Sequence, residues 1–246
     1  MTSTTLIFGA TGGIGAALAR RLHAQGAGLF LSARTAGPLE ALAAELGAGC
    51  ATADATDFAE VERVMQAAQA HAEARGSALS GVALCVGSLL LKPAHLTTAA
   101  EFQHTLAQNL GSAFGVVRAA GKLMAGGGSV VLCSSAAART GLANHEAIAA
   151  AKAGVLGLVL SAAATYAPRG LRVNAVAPGL VRTPLTQRIT GSPAATQASQ
   201  ALHALGRLGE PEDVAAVMAW LLGPEATWVT GQCYGVDGGL GTVRAK

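Results

Sequence analysis

The stretch Phe8-Gly9-Ala10-Thr11-Gly12-Gly13-Ile14-Gly15 stands between an apolar run, Leu6 to Phe8, and a segment whose apolar residues Ile14, Leu18 and Leu22 recur at helical spacing. Strand, glycine-rich turn and helix in that order form the opening of a dinucleotide-binding unit. Gly9 permits the tight turn, Gly13 lets the backbone approach a pyrophosphate, and Gly15 lets the helix lie close to its strand. The helix then aims its N-terminal N–H groups and positive dipole end at that pyrophosphate. A glycine-rich turn also occurs as an ordinary strand-to-helix connection, so the residues downstream decide.

Downstream, strands and helices alternate. Strands are expected at 28–32, 50–53 (ending at Asp54), 82–86, 129–133, 172–176 (closed by Pro178-Gly179) and 233–236. Helices are expected at 39–46, 58–74, 101–124 and 147–167, and at 211–222, which opens on Pro211-Glu212-Asp213. This alternation makes a parallel sheet. The expectation is a single α/β domain over 1–246: a Rossmann-type doubly wound parallel sheet of about seven strands, helices on both faces, with its ligand beyond the carboxyl ends of the strands. Residues 184–206, polar and Ala-rich without a strand signal, form the variable substrate region.

Composition narrows the function. Charged residues make up 13% and apolar residues 51%, against roughly 25% charged in an average soluble protein, so some of the surface is expected to be covered by another subunit in a homodimer or homotetramer. The net charge of +3 is spread without a basic run or aromatic interleaving, which gives no footing for nucleic-acid binding. Met1 to Thr5 lacks the charged region and cleavage site of a signal peptide, pointing to the cytoplasm. Ala147 to Ala167 carries one charge, Lys152, and approaches the length of a membrane span, yet its Ala and Gly content between two strands reads as a helix packed on the sheet and on another subunit, not in a membrane. Cys50, Cys85, Cys133 and Cys233 stand singly, without metal spacing, as reduced core thiols, and no metal site is expected.

In order, Gly9, Gly13 and Gly15, Asp54, Asn109, Ser134-Ser135, Lys152, the run Arg172 to Gly179, Arg207 to Val214, Thr230-Gly231-Gln232 and Asp237-Gly238-Gly239 resemble the short-chain dehydrogenase/reductase family over nearly the whole chain. The look is that of bacterial members of the 3-oxoacyl-carrier-protein reductase type. The resemblance implies a nicotinamide coenzyme held by Gly9, Thr11, Gly13, Ile14, Gly15, Arg34, Thr35, Asp54, Ala55, Gly87, Lys152, Pro178, Gly179 and Thr183. It also implies a catalytic set that includes Asn109, Ser135 and Lys152. The end of the second strand, where an NAD site wants an acid, holds Ala33, followed by Arg34 and Thr35. A guanidinium beside a missing carboxylate suits a 2′-phosphate, so the expected coenzyme is NADP(H).

The family pattern places a Tyr four residues before the Lys, and here that position is Ile148, thirteen residues after Ser135. The resemblance therefore implies that the usual proton donor is absent, a loss of ~10² to 10⁴ in rate. The loop usually written Asn-Asn-Ala-Gly reads Leu84-Cys85-Val86-Gly87, and Phe8 stands where Thr or Ser is usual. His145, three residues before Ile148, is a candidate replacement because imidazole exchanges protons near neutral pH. Against it, Asn144 reads as the helix cap and His145 as a residue of the substrate mouth. Ser135 with a water, or Lys152 itself, are the other candidates. Two functions remain open: an NADP(H)-dependent oxidoreductase of a small carbonyl or alcohol substrate, acyl thioesters included, with an unusual proton donor; or a catalytically silent NADP(H)-binding partner of an active paralogue. A lyase or isomerase step in the same cleft is a weaker third.

Overall fold

The computed structural model describes residues 3–243; Met1 and Thr2, which enter the signal-peptide reading, lie outside the described residues. Seven strands form one parallel sheet: β1 (Ser3–Phe8), β2 (Gly28–Ala33), β3 (Gly49–Thr52), β4 (Ala78–Leu84), β5 (Gly128–Cys133), β6 (Leu171–Pro178) and β7 (Cys233–Val236). Their spatial order is β3-β2-β1-β4-β5-β6-β7, so the chain reverses direction across the sheet between β1 and β4. Both faces are covered, so β1 and β6 are buried almost without interruption, their polar residues Thr4, Thr5 and Asn174 included.

On one face, Leu18 and Leu22 of α1 (Gly13–Ala24), Leu39 and Leu42 of α2 (Ala36–Leu46) and Val214 and Met218 of α9 (Pro211–Leu222) pack on Ile7, Leu31 and Val131. On the other, α3 (Phe58–Ala74), α5 (Ser112–Leu123) and α6 (Glu146–Tyr166) bring Val61, Met65, Val116, Val155 and Val159 onto Leu6, Val82 and Val130. Each such side chain contributes roughly 1.5–3 kcal/mol by leaving water. By length and hydropathy α6 would suffice to cross a membrane, but Val155 and Val159 are core residues of this sheet.

Several boundaries differ from the sequence expectation. β4 runs from Ala78 to Leu84 and not over 82–86: β1 ends at Phe8, whose carbonyl takes a last bond from the Cys85 N–H (2.9 Å) before Gly9 turns away, so Cys85 and Val86 become loop. The helix expected over 101–124 is α4 (Ala99–Leu106), one π-helical turn (Ala107–Gly111) and α5. Asn144 does not cap α6: it adopts a left-handed conformation (φ 63°) and its carbonyl accepts the Lys92 N–H at 2.8 Å, leaving His145 at the cap position. The 184–206 region holds two short helices, α7 (Gln187–Thr190) and α8 (Pro193–Leu202).

Candidate functional site

Two connected cavities open at the carboxyl edge of the sheet. The first, a groove of about 290 Å³, runs over the glycine-rich loop and the ends of β1, β2 and β3. Gly9 has φ +75°, and a Cβ there would lie 2.9 Å from the Cys85 carbonyl carbon. A Cβ on Gly15 would lie 2.2 Å from the Gly9 oxygen, so this residue, itself behind the groove, lets α1 close on the loop. At Gly13 a Cβ would meet the Thr183 methyl at 2.7 Å; Thr183 stands across the groove from the loop.

Thr11, Ile14, Arg34 and Thr35 line the groove, as do Asp54, Ala55 and Gly87. Asp54 Oδ1 accepts bonds from the Thr56 N–H (2.9 Å) and hydroxyl (2.8 Å), which hold its carboxyl below the usual range with help from Arg34 and His104; α3 is capped by Asp57. The residues fit a dinucleotide. Among the described residues no side chain caps α1 and its first turn has no acid, so none of them competes for an anion there. The Ser32 hydroxyl, buried at the groove wall, has no hydrogen-bond partner among the described residues. Arg34 is exposed and makes no ion pair among the described residues.

The second cavity, a chamber of about 670 Å³, meets the groove at Ile14, Cys85, Val86, Gly87 and Thr183. The expected catalytic residues converge on it. Lys152, only 7% exposed, donates to the Cys133 carbonyl at 2.7 Å, and burial pulls its pKa down from the ordinary lysine value. A Cβ on Gly87 would lie 2.9 Å from Asn109 Oδ1 and 3.4 Å from Lys152 Nζ, so a side chain there would intrude between the two. Asn109, in the π turn, accepts the Ser88 N–H (3.2 Å) and donates to Ser88 Oγ (3.0 Å) and the Thr105 carbonyl (2.9 Å). Ser135 ends the strand-to-loop turn after β5, its oxygen accepting the Ala137 N–H at 3.2 Å, while Ser134 turns away and donates to the Lys152 carbonyl.

His145 also lines the chamber; its Nδ1–H donates to the Ala143 carbonyl at 2.7 Å. Ile148, 3% exposed, contributes an apolar wall one helical turn before Lys152. Neither tyrosine reaches the cavities: Tyr166 packs on Gly121 and Arg169, and Tyr234 stands edge-on to Trp220. Pro178 and Gly179 line the chamber and not the groove. Sequence reasoning missed Ser32, Gln108 and Arg188; the first two sit where a strand and a helix meet the cavity edge, a position no local motif marks.

The chain matches the family model described as enoyl-(acyl carrier protein) reductase over residues 9–241. It is 35% identical over 240 residues to galactitol 2-dehydrogenase (L-tagatose-forming) of Cereibacter sphaeroides, covering 95% of this chain and 92% of the relative. It is also 35% identical to cis-4-hydroxycyclohexanecarboxylate dehydrogenase of Sinomonas cyclohexanicum, covering 97% and 96%. The fold superposes on a short-chain type dehydrogenase/reductase of Mycobacterium ulcerans with TM-score 0.90 at 32% identity, covering 99% of this chain and 91% of that one. The parallel sheet, the groove over its glycine-rich loop and these likenesses together make the chain a member of the short-chain dehydrogenase/reductase family, oxidoreductases that move a hydride between a nicotinamide coenzyme and an alcohol or ketone.

Proposed function

We propose that the protein is an NADP(H)-dependent oxidoreductase of a ketone and its secondary alcohol, 3-oxoacyl compounds included, with a proton donor other than tyrosine. The observation that carries this is the junction of groove and chamber at Gly87, with Lys152, Ser135 and His145 on the chamber side. A bound nicotinamide coenzyme supplies the hydride to the carbonyl carbon, or takes it from the carbinol. Arg34, unpaired at the groove wall beside Ala33, selects the 2′-phosphate; the remaining groove residues, with Thr183 across from the loop, hold the dinucleotide.

Ser135 keeps its own O–H, since its oxygen only accepts within the chain, and donates it to the substrate oxygen. His145 is the proton carrier. Its Nδ1–H is spent on Ala143, so Nε2 takes a proton in alcohol oxidation and returns it in carbonyl reduction. Lys152 has two N–H groups left after Cys133, for the coenzyme ribose or a water that relays protons to the cleft. Asn109 spends its amide on Ser88 and Thr105 and is a positioning residue for the 87–88 loop. The exposed Phe114 (50%) and Leu160 (62%) on the packed helices α5 and α6 support self-association as a homodimer or homotetramer.

The test is NADPH oxidation against ketones and 3-oxoacyl thioesters by the native chain, Ser135→Ala, His145→Ala and Ile148→Tyr. The expectation is slow native turnover, a fall of at least about tenfold in the first two variants and a gain in the third. A silent native chain with an active Ile148→Tyr variant supports the second reading, a coenzyme-binding partner subunit, which the absence of any tyrosine from the cavity linings favours. Full activity in both Ser135→Ala and His145→Ala overturns the site assignment.

A further inference from the structure

The charge distribution around the chamber narrows the substrate. Leu89, Leu142, Ile148, Leu180, Ile189 and Leu240 are among its walls, so it suits an apolar body and offers little to a polyhydroxylated one. Among the described residues no Asp or Glu lines it, and the full cations that do are Lys152, buried at the coenzyme end, and Arg188, exposed on α7. Arg188 makes no hydrogen bond or ion pair among the described residues. Its nearest arginine neighbours in the chain behave differently: Arg182 pairs with Glu210 at 3.3 Å and Arg207 grips Asp213 with two bonds of 2.7 and 2.9 Å. A guanidinium left free at the edge of an apolar cavity with no competing carboxylate is a receptor for an anion carried by the ligand.

We propose that the substrate is an amphipathic anion, with its carbonyl or hydroxyl at Ser135, an apolar body along the leucine-lined wall and an anionic group at Arg188. This rests on the oxidoreductase reading for placing the reacting oxygen at Ser135. The anion is either a carboxylate of the substrate itself or the phosphate of a pantetheine arm carrying an acyl group, and the same guanidinium serves both.

The experiment measures kcat/KM with NADPH for a homologous series of methyl ketones ending in a carboxylate, from 5-oxohexanoate to 9-oxodecanoate, each beside its methyl ester. A second arm compares 3-oxobutanoyl pantetheine with and without its 4′-phosphate. One arm is expected to favour the anionic member by about tenfold at low salt, to lose that preference in Arg188→Ala, to invert it in Arg188→Glu, and to weaken with added salt. The carboxylate arm should also show an optimum in chain length, since Ser135 and Arg188 stand on different segments of the chamber wall. Arg118→Ala, an equal loss of charge on α5, should leave the preference intact. In parallel, calorimetric titration of the NADP⁺-loaded protein with 7-oxooctanoate and with phosphopantetheine measures binding without turnover. Binding that weakens about tenfold in Arg188→Ala in a protein that turns nothing over sustains this inference while sinking the catalytic one. Turnover or binding indifferent to Arg188 in both arms, or no binding of either anion, overturns it.

Discussion

Lys152 Nζ donates to the carbonyl oxygen of Cys133 across 2.7 Å, joining α6 to the end of β5 at the floor of the chamber. The thiols nearest this ammonium, Cys85 and Cys133, are themselves pushed up by burial and stay neutral, so it has no anionic partner among the described residues. A lysine whose folded pKa is lowered makes the fold bind fewer protons than the unfolded chain, and at neutral pH its charge costs stability. Lys152→Met is therefore expected to hold or raise the thermal midpoint while turnover falls by roughly 10² or more. Thermal unfolding beside kcat checks both halves; a clear loss of stability would show the Cys133 bond outweighing the buried charge. The alkaline limb of native kcat should lie below the ordinary lysine value of 10.5.

Gly15→Ala places a methyl 2.2 Å from the Gly9 oxygen and must lift α1 off its loop. The expected cost is about 1–3 kcal/mol of stability, with NADPH affinity lowered more than tenfold. Gly37→Ala in α2, whose methyl enters open space, should instead stabilise by about 0.5–1 kcal/mol. Urea unfolding and NADPH fluorescence titration read the pair, and equal effects would refute the packing account of Gly15.

Arg34→Glu should reverse coenzyme preference, weakening NADPH by at least about tenfold and strengthening NADH through its ribose hydroxyls. Equal native affinities for the two coenzymes would undo the assignment of Arg34.

Two carboxylates outside the linings of both cavities are held low. Lys92 and the Thr98 N–H and hydroxyl hold Glu101 at about 2, and Arg207 with the Glu210 N–H holds Asp213 at about 2. Because both folded values lie below the unfolded ones, the stabilisation is complete above the ordinary values of 4.5 and 3.8 and is lost as pH falls from there toward 2. Urea midpoints at pH 7 and pH 3 should converge in the Glu101→Gln, Asp213→Asn double variant relative to the native chain. An unchanged difference would remove these two groups from the acid response.

The parts of this molecule legible in the sequence are those encoded by local residue chemistry. Gly9 and Gly15 mark a turn and a contact that only glycine allows, and the apolar runs at Leu6, Val130 and Ala175 mark strands buried on both sides. The gathering of Ser135, Lys152 and Gly87 follows once those strands are parallel, because each residue sits on or beside a carboxyl end. What could not be read was set by distant contacts. Asn144 turns left-handed where its carbonyl meets Lys92, and Ala107 to Gly111 has a plain helical composition, its π turn held by Asn109 reaching Ser88. Arg188 lies in a segment without periodicity, so its place at the chamber emerged only from the path of α7 and α8.

The π turn between α4 and α5 also sets which changes of chain length this protein tolerates. A wider turn carries one residue more than a regular helix would need, and removing any of Ala107 to Gly111 would let α4 and α5 fuse into one smooth helix. The fused helix would be better bonded as a helix, and because the wide turn is what absorbs the extra residue, α4 and α5 would keep nearly their present phase. The change would fall on the turn itself, which now sets Asn109 against Ser88. Surface loops of this chain can lengthen or shorten at small cost, whereas at this helix a single-residue deletion would repair the backbone and disturb the turn that sets Asn109 at the cleft.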